Sequence, residues 1–225
     1  MKSLVLGRLM IDPPEIFTRG ELLKKVEAVL KGGGSPLLFR DSTASQEDFR
    51  ETAQALQPIA ARHETPFIVC DRVEIARQID ADGIHLQRWD PSSVAELRRQ
   101  LGSGKLLGVD IPADSRVALE AERAGADYLR IGPVDAYATQ GAHGQITLST
   151  LCEICRGLSR PLYAYGGISL STFQRVFDVG VYGIALISNA YDAEDPISKT
   201  RLFVERIAAC AKRSESGQTV TGGKH

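Results

Sequence analysis

Short apolar runs alternate with helical patterns eight times along this chain, and few folds accept that rhythm. The runs fall at residues 4–11, 36–40, 66–70, 83–86, 106–109, 128–131, 162–165 and 183–187. Most are apolar throughout, as strands are when both faces of a parallel sheet are covered. Amphipathic patterns fill the gaps at residues 21–30, 46–61, 73–79, 91–101, 116–124, 148–158, 171–179 and 197–211. Ser45 suits an N-cap, and Pro91 suits a first helical position with Ser92 or Ser93 helping the start. Ala81-Asp82-Gly83 and Ala124-Gly125-Ala126-Asp127 each precede a strand, with glycine placed to end a helix. Eight βα units without a linker predict a single (β/α)₈ TIM barrel over residues 1–213. The competing open doubly wound sheet usually carries a Gly-rich fingerprint after its first strand, where this chain has Asp12-Pro13-Pro14. Residues 214–225, rich in Gly, Ser, Thr and Lys, read as a disordered tail.

Composition excludes several partner classes. A formal net charge of −1 offers no basic field to nucleic acid or an anionic membrane. No run approaches the roughly 18–20 apolar residues of a membrane span, and the start is too weakly apolar for a signal peptide. The expectation is a cytoplasmic protein. Among the four cysteines, Cys152 and Cys155 have redox or zinc spacing. They fall inside a helical pattern with no second Cys/His pair nearby, which favours small packed helix residues.

In a barrel of this kind, chemistry gathers where the strands end. Asp71 follows the third run and Asp90 closes the segment from Asp82 to Asp90, so the fold aims both carboxylates at one mouth. Such a pair suits Mg²⁺ when the substrate brings its own phosphates. Gly166-Gly167 follows the seventh run, and Ile187-Ser188-Asn189 closes the eighth. Bare backbone N–H groups at those two ends suit a phosphate, a reading favoured over the alternative that Gly166-Gly167 only makes a tight turn. Arg40 ends the second run, facing a phosphate or one of the carboxylates. His85 reads either as a satisfied core histidine or as an acid–base group. Trp89 is a pocket wall or plain packing, and Asp110 and Asp135 either assist a metal or are solvated.

Five ordered segments at these strand ends resemble the thiamine phosphate synthase family and its sister thiazole tautomerase branch. They run from Val69 to Ala76, from Ala81 to Asp90, from Gly125 to Val134, from Ala164 to Ile168 and from Gly183 to Ser188. The resemblance implies a barrel enzyme of thiamine biosynthesis, a transferase. It would join hydroxymethylpyrimidine pyrophosphate to thiazole phosphate, giving thiamine phosphate and pyrophosphate. It implies Mg²⁺ at Asp71 and Asp90, Arg40 on the pyrophosphate, and Gly166, Gly167, Ile187 and Ser188 on the thiazole phosphate. Arg40 and Thr139 then stand as catalytic residues, with Arg88, Asp110, Thr139 and Gln140 as further substrate contacts. The partners are two small phosphorylated substrates, and homo-oligomers are common in the family.

The chain also departs from the family pattern. Gln-x-Arg-x-Lys becomes Leu38-Phe39-Arg40-Asp41-Ser42, and the Asn before the first aspartate becomes Cys70. Gly-Gln after His-Leu becomes Gln87-Arg88, and Gly-Val-Ser becomes Gly108-Val109-Asp110. The Thr-x-Thr-Lys loop becomes Tyr137-Ala138-Thr139-Gln140. Two lysines of the pyrophosphate cradle are therefore missing, with Arg72 and Arg88 as substitutes. A thiazole tautomerase, or a binding protein for thiamine phosphate or a related phosphorylated heterocycle, remains an alternative. The tautomerase histidine would follow the sixth-strand glycine, where Pro133 stands.

Overall fold

A computed structural model describes residues 5–134, 145–188 and 190–217, with side chains as far as residue 210. The eight strands are β1 (Leu9–Ile11), β2 (Leu37–Phe39), β3 (Phe67–Cys70), β4 (Gly83–Leu86), β5 (Leu106–Asp110), β6 (Tyr128–Ile131), β7 (Leu162–Tyr165) and β8 (Gly183–Leu186). All pair in parallel with their chain neighbours, and β8 pairs with β1 to close the barrel. The eight helices are α1 (Arg19–Lys31), α2 (Gln46–Arg62), α3 (Val73–Gln78), α4 (Pro91–Leu101), α5 (Ser115–Arg123), α6 (Leu148–Cys155), α7 (Phe173–Asp178) and α8 (Pro196–Gly217). The expected (β/α)₈ barrel is the fold.

Period-two alternation sorts each strand into two cores. In β6, Leu129 and Ile131 join the layer between barrel and helices. Tyr128 faces the barrel interior with Met10, Leu38, Ile68, Cys70, Leu106, Tyr163 and Ala185. Arg130 shares the parity of Tyr128, so a charged side chain is committed to the barrel axis. Space for the tyrosines comes from small neighbours. A Cβ on Gly108 would lie 2.0 Å from Tyr128 Cζ, an impossible approach.

Two boundaries differ from expectation for physical reasons. The first run was expected to be a strand from residue 4, yet pairing begins at Leu9. Beneath the barrel, Leu6 and Gly7 instead accept hydrogen bonds from the hydroxyls of Tyr182 and Tyr163. Helix α8 continues to Gly217, so its last turns reach into the segment expected to be a disordered tail. No helix among the described residues is long and apolar enough to cross a membrane.

Capping follows the sequence closely where short polar side chains precede helices. Thr18 and Glu21 form a reciprocal capping box on α1, and the Ser45 side chain accepts from Asp48 N–H. Cys152 and Cys155 are free and half-buried in α6. Burial pushes the Cys155 thiol up to about 11, so it stays protonated.

Candidate active site

The ends of β7 and β8 enclose a cavity of about 190 Å³ lined by Gly166, Gly167, Ile168, Ala185, Leu186, Ile187 and Ser188. Gly166 (φ +86°) and Gly167 (φ +58°) both occupy the left-handed region, where a Cβ is strained. A Cβ on Gly166 would also press to 2.6 Å from Pro133, and one on Gly167 to 2.9 Å from Val134 O. The glycine pair therefore serves the tight turn and leaves backbone open at the cavity wall. Ser188 is exposed, and its carbonyl accepts from Tyr191 N–H and Asp192 N–H, which folds the turn after β8.

Asp71 and Asp90 sit on the loops after β3 and β4. Asp71 takes φ +54°, uncommon for a residue with a side chain. Its carboxylate accepts from Gln87 N (3.0 Å) and Gln87 Nε2 (2.8 Å), which ties the two loops together. Asp90 caps α4 by accepting from Ser93 N–H at 2.7 Å, and hydrogen bonding to the Ser93 side chain and then to its backbone lowers its pKa. The cap is thus Asp90 itself, with Ser93 as the donor. No group of three or more His, Cys, Asp or Glu assembles a metal cage among the described residues. Two carboxylates are nevertheless a donor set that fits Mg²⁺, a cation usually held by one or two carboxylates plus phosphate oxygens.

The other half of the mouth has a floor of charged groups. Asp12, fully buried, accepts from Arg40 Nε at one oxygen and Arg130 Nη1 at the other, each at 2.9 Å. Arg130 is 3% exposed and also donates from Nε to Asp110 Oδ1 at 2.9 Å. Its guanidinium carbon lies 4.8 Å from the centre of the Tyr165 ring. Asp110 Oδ1 takes a second bond from His85 Nε2 at 3.0 Å, and His85 Nδ1 meets the Tyr128 hydroxyl at 3.1 Å. Arg40 continues the network through Nη1 to Glu15 Oε1 at 2.5 Å. Glu15 Oε2 accepts from Ser42 N–H and its hydroxyl.

This network fixes several assignments. Arg40 faces carboxylates, but they are Asp12 and Glu15 rather than Asp71 or Asp90. Burial holds the His85 pKa below its ordinary value, more than the pull of Asp110 raises it. Both ring nitrogens have partners, Asp110 and the Tyr128 hydroxyl, so His85 is a satisfied core histidine. For Asp110, burial acts upward, but His85 and Arg130 together hold its pKa below the ordinary value. Trp89 packs against the outer core, and Arg72 lies over Phe49 while donating to Ala44 O. Exposed Arg88 is joined by no hydrogen bond or ion pair among the described residues. Asp135, Thr139, Gln140 and His143 lie outside the described residues. Asp12, Glu15 and Arg130 are the site residues that motif reading passed over. Arg130 interrupts the apolar run of β6, which was its available signal.

A barrel with a backbone-lined cavity after β7 and β8, and acidic loops after β3 and β4, has the architecture in which phosphate sites recur. The particular family is fixed by comparison. The family model described as thiamine monophosphate synthase matches residues 9–190, and the chain belongs to that family. A thiamine-phosphate synthase of Synechococcus sp. is 35% identical over 199 residues, covering 88% of this chain. This chain spans only about half of that protein, 56%. A thiamine-phosphate synthase of Clostridium acetobutylicum is 31% identical over 92% of this chain and 97% of its own length. The solved thiamine phosphate pyrophosphorylase from Pyrococcus furiosus superposes with a TM-score of 0.75 at 29% identity, covering 89% of this chain and 96% of that one.

Proposed function

We propose that this protein condenses hydroxymethylpyrimidine pyrophosphate with thiazole phosphate, as a thiamine phosphate synthase. The bond between the pyrimidine methylene carbon and the pyrophosphate oxygen breaks, and its electron pair leaves with pyrophosphate. The thiazole nitrogen then supplies the pair that forms the new C–N bond. The cavity at the ends of β7 and β8 carries this reading, because it offers a phosphate the main chain of Gly167 and Ser188. The synthase relatives favour condensation over the tautomerase and binding-only alternatives.

Asp71 and Asp90 would hold Mg²⁺, whose charge offsets that building on the departing pyrophosphate. Gln87 orients the Asp71 carboxylate for that task. Arg40 donates through Nε and Nη1 to Asp12 and Glu15, leaving Nη2 to reach the pyrophosphate. Arg88, on the exposed loop after β4, supplies a second cation on the same side. Thr139 and Gln140, outside the described residues, keep the substrate-contact roles that the family resemblance implies. Tyr165 over Arg130 gives the forming cation an aromatic neighbour and limits water beside it.

The test is direct incubation of the full chain with both precursors and Mg²⁺, following thiamine phosphate and pyrophosphate. Turnover by the wild type, falling to background in Asp71→Asn and Asp90→Asn, is the expected result. Equal product from wild type and both variants would remove the metal assignment. No product from the wild type would remove the condensation itself.

A further inference from the structure

Tyr191 is fully buried, and its hydroxyl is the buried side-chain polar atom without a hydrogen-bond partner among the described residues. Buried donors are usually paired, because an unpaired one forfeits the bond it made to water. The rest of the residue is held firmly. Its N–H donates to Ser188 O in the turn after β8, its carbonyl accepts from Lys25 Nζ of α1 at 2.6 Å, and its ring packs 6.0 Å from that of Phe17. The ends of β8 and β1 meet here, since Asp12 N–H donates to Leu186 O at 3.0 Å. Burial and then the negative charge of Asp12 push the Tyr191 phenol well above its ordinary value, so it stays a protonated donor. Asp12 has acceptor capacity to spare: each oxygen takes one bond, Oδ1 from Arg40 Nε and Oδ2 from Arg130 Nη1. The two arginines differ in freedom, with 22% of the Arg40 side chain exposed against 3% of Arg130. Arg40 Nε and Nη2 form one edge of the guanidinium, and a phosphate is gripped best by two parallel N–H groups. Using that edge leaves the Nη1 bond to Glu15 in place but takes Nε from Asp12. Asp12 has no exposure, so bulk water cannot replace the bond.

We propose that Tyr191 is the reserve donor to Asp12: when Arg40 turns its Nε and Nη2 edge to the departing pyrophosphate, the Tyr191 hydroxyl takes over the Asp12 oxygen that Nε gives up. The identity of the anion rests on the condensation proposed above, while the exchange of donors at Asp12 does not. Without a reserve, drawing Arg40 away would strand half of a buried carboxylate, which is strongly unfavourable. The unpaired hydroxyl of the free protein thus becomes a bond made only when the anion is held, and it favours the bound state. Tyr191 is a positioning residue in this account, acting through Asp12 and Arg40.

The experiment is a double-mutant cycle between Tyr191→Phe and Arg40→Met, read by urea denaturation of the full chain. Phenylalanine keeps the ring against Phe17 and removes only the hydroxyl. Beside an intact Arg40 the midpoint should hold or rise, because an unpaired buried group is lost. In the Arg40→Met background, where the hydroxyl already serves Asp12, the same change should lower the midpoint. An equal shift in both backgrounds would overturn the proposal. If Arg40→Met does not fold, calorimetry with inorganic pyrophosphate decides. Tyr191→Phe should bind it roughly tenfold more weakly than the wild type, and no difference between the two proteins would overturn the proposal. In kinetics Tyr191→Phe should raise KM for the pyrimidine substrate and leave that for thiazole phosphate unchanged. The reverse pattern would mark plain packing of the Ser188 turn and would also overturn it. Coupling in the cycle without turnover of the two precursors would sink the condensation and leave Tyr191 as the reserve donor.

Discussion

The β7–β8 turns and the β1–β6 floor face the same mouth but are held together by different forces. At β7–β8 the wall includes two glycines at positive φ and has no charged side chain among its lining residues. Across the mouth, the walls are charged side chains that mostly satisfy one another. An anion entering β7–β8 has no charged side chain to displace among the lining residues. An anion entering near Arg40 must compete with Asp12 and Glu15, which already hold that guanidinium. The difference teaches that an arginine at a strand end is not by itself an anion site. What counts is how much of its charge the protein has already neutralised.

The comparison is sharpened most by removing the centre of the floor. Arg130→Met would leave Asp12 and Asp110 buried without their shared cation, a loss of about 3–5 kcal/mol in folding stability. Urea denaturation checks this, and an unchanged midpoint would mean that the floor is not a coupled unit. A smaller effect is expected at the opposite wall. Gly167→Ala places a Cβ at φ +58°, 2.9 Å from Val134 O, and should cost about 1–2 kcal/mol. In kinetics it should raise KM for thiazole phosphate with little change for the pyrimidine substrate.

The floor also predicts a pH dependence. Burial lowers the His85 pKa below 6.5, so the folded ring is neutral while the unfolded ring takes a proton. The stability that this contributes is full above about pH 6.5. It is lost as pH falls from there toward the folded pKa, by at most about 1.4 kcal/mol per unit for one proton. Denaturation midpoints at pH 7.5 and 5.5 should differ in the wild type and differ less in His85→Gln. The smallest effect is expected from Glu15→Gln, which frees part of the Arg40 charge. Inorganic pyrophosphate should then inhibit roughly threefold more strongly, in line with a partly exposed ion pair. Unchanged inhibition would show that Arg40 takes no part in anion binding.

Much of the fold was legible because apolar periodicity depends on local sequence. The runs from β3 to β7 lie within a residue of their expected bounds, and Pro91 begins α4 as its fixed φ requires. The first strand was overextended because the apolar start packs under the barrel rather than in the ladder. The glycine-lined turn was also legible, since Gly166-Gly167 allows little else. The floor was not. Arg130 and Asp12 come from β6 and the end of β1, 118 residues apart, and meet only through barrel closure. Arg40 was read as facing either a phosphate or a carboxylate, because its partners cannot be chosen among several acidic residues without knowing which strands face each other. Asp90 showed its N-terminal position before Pro91, yet its capping bond to Ser93 was overlooked beside the metal reading.

The most direct test is a crystal structure of the protein soaked with thiazole phosphate. The account predicts the phosphate in the cavity after β7 and β8, within hydrogen-bonding distance of the main chain at Gly167 and Ser188, with the Arg40–Glu15 pair intact. A phosphate seated on Arg40 with Glu15 displaced would contradict it.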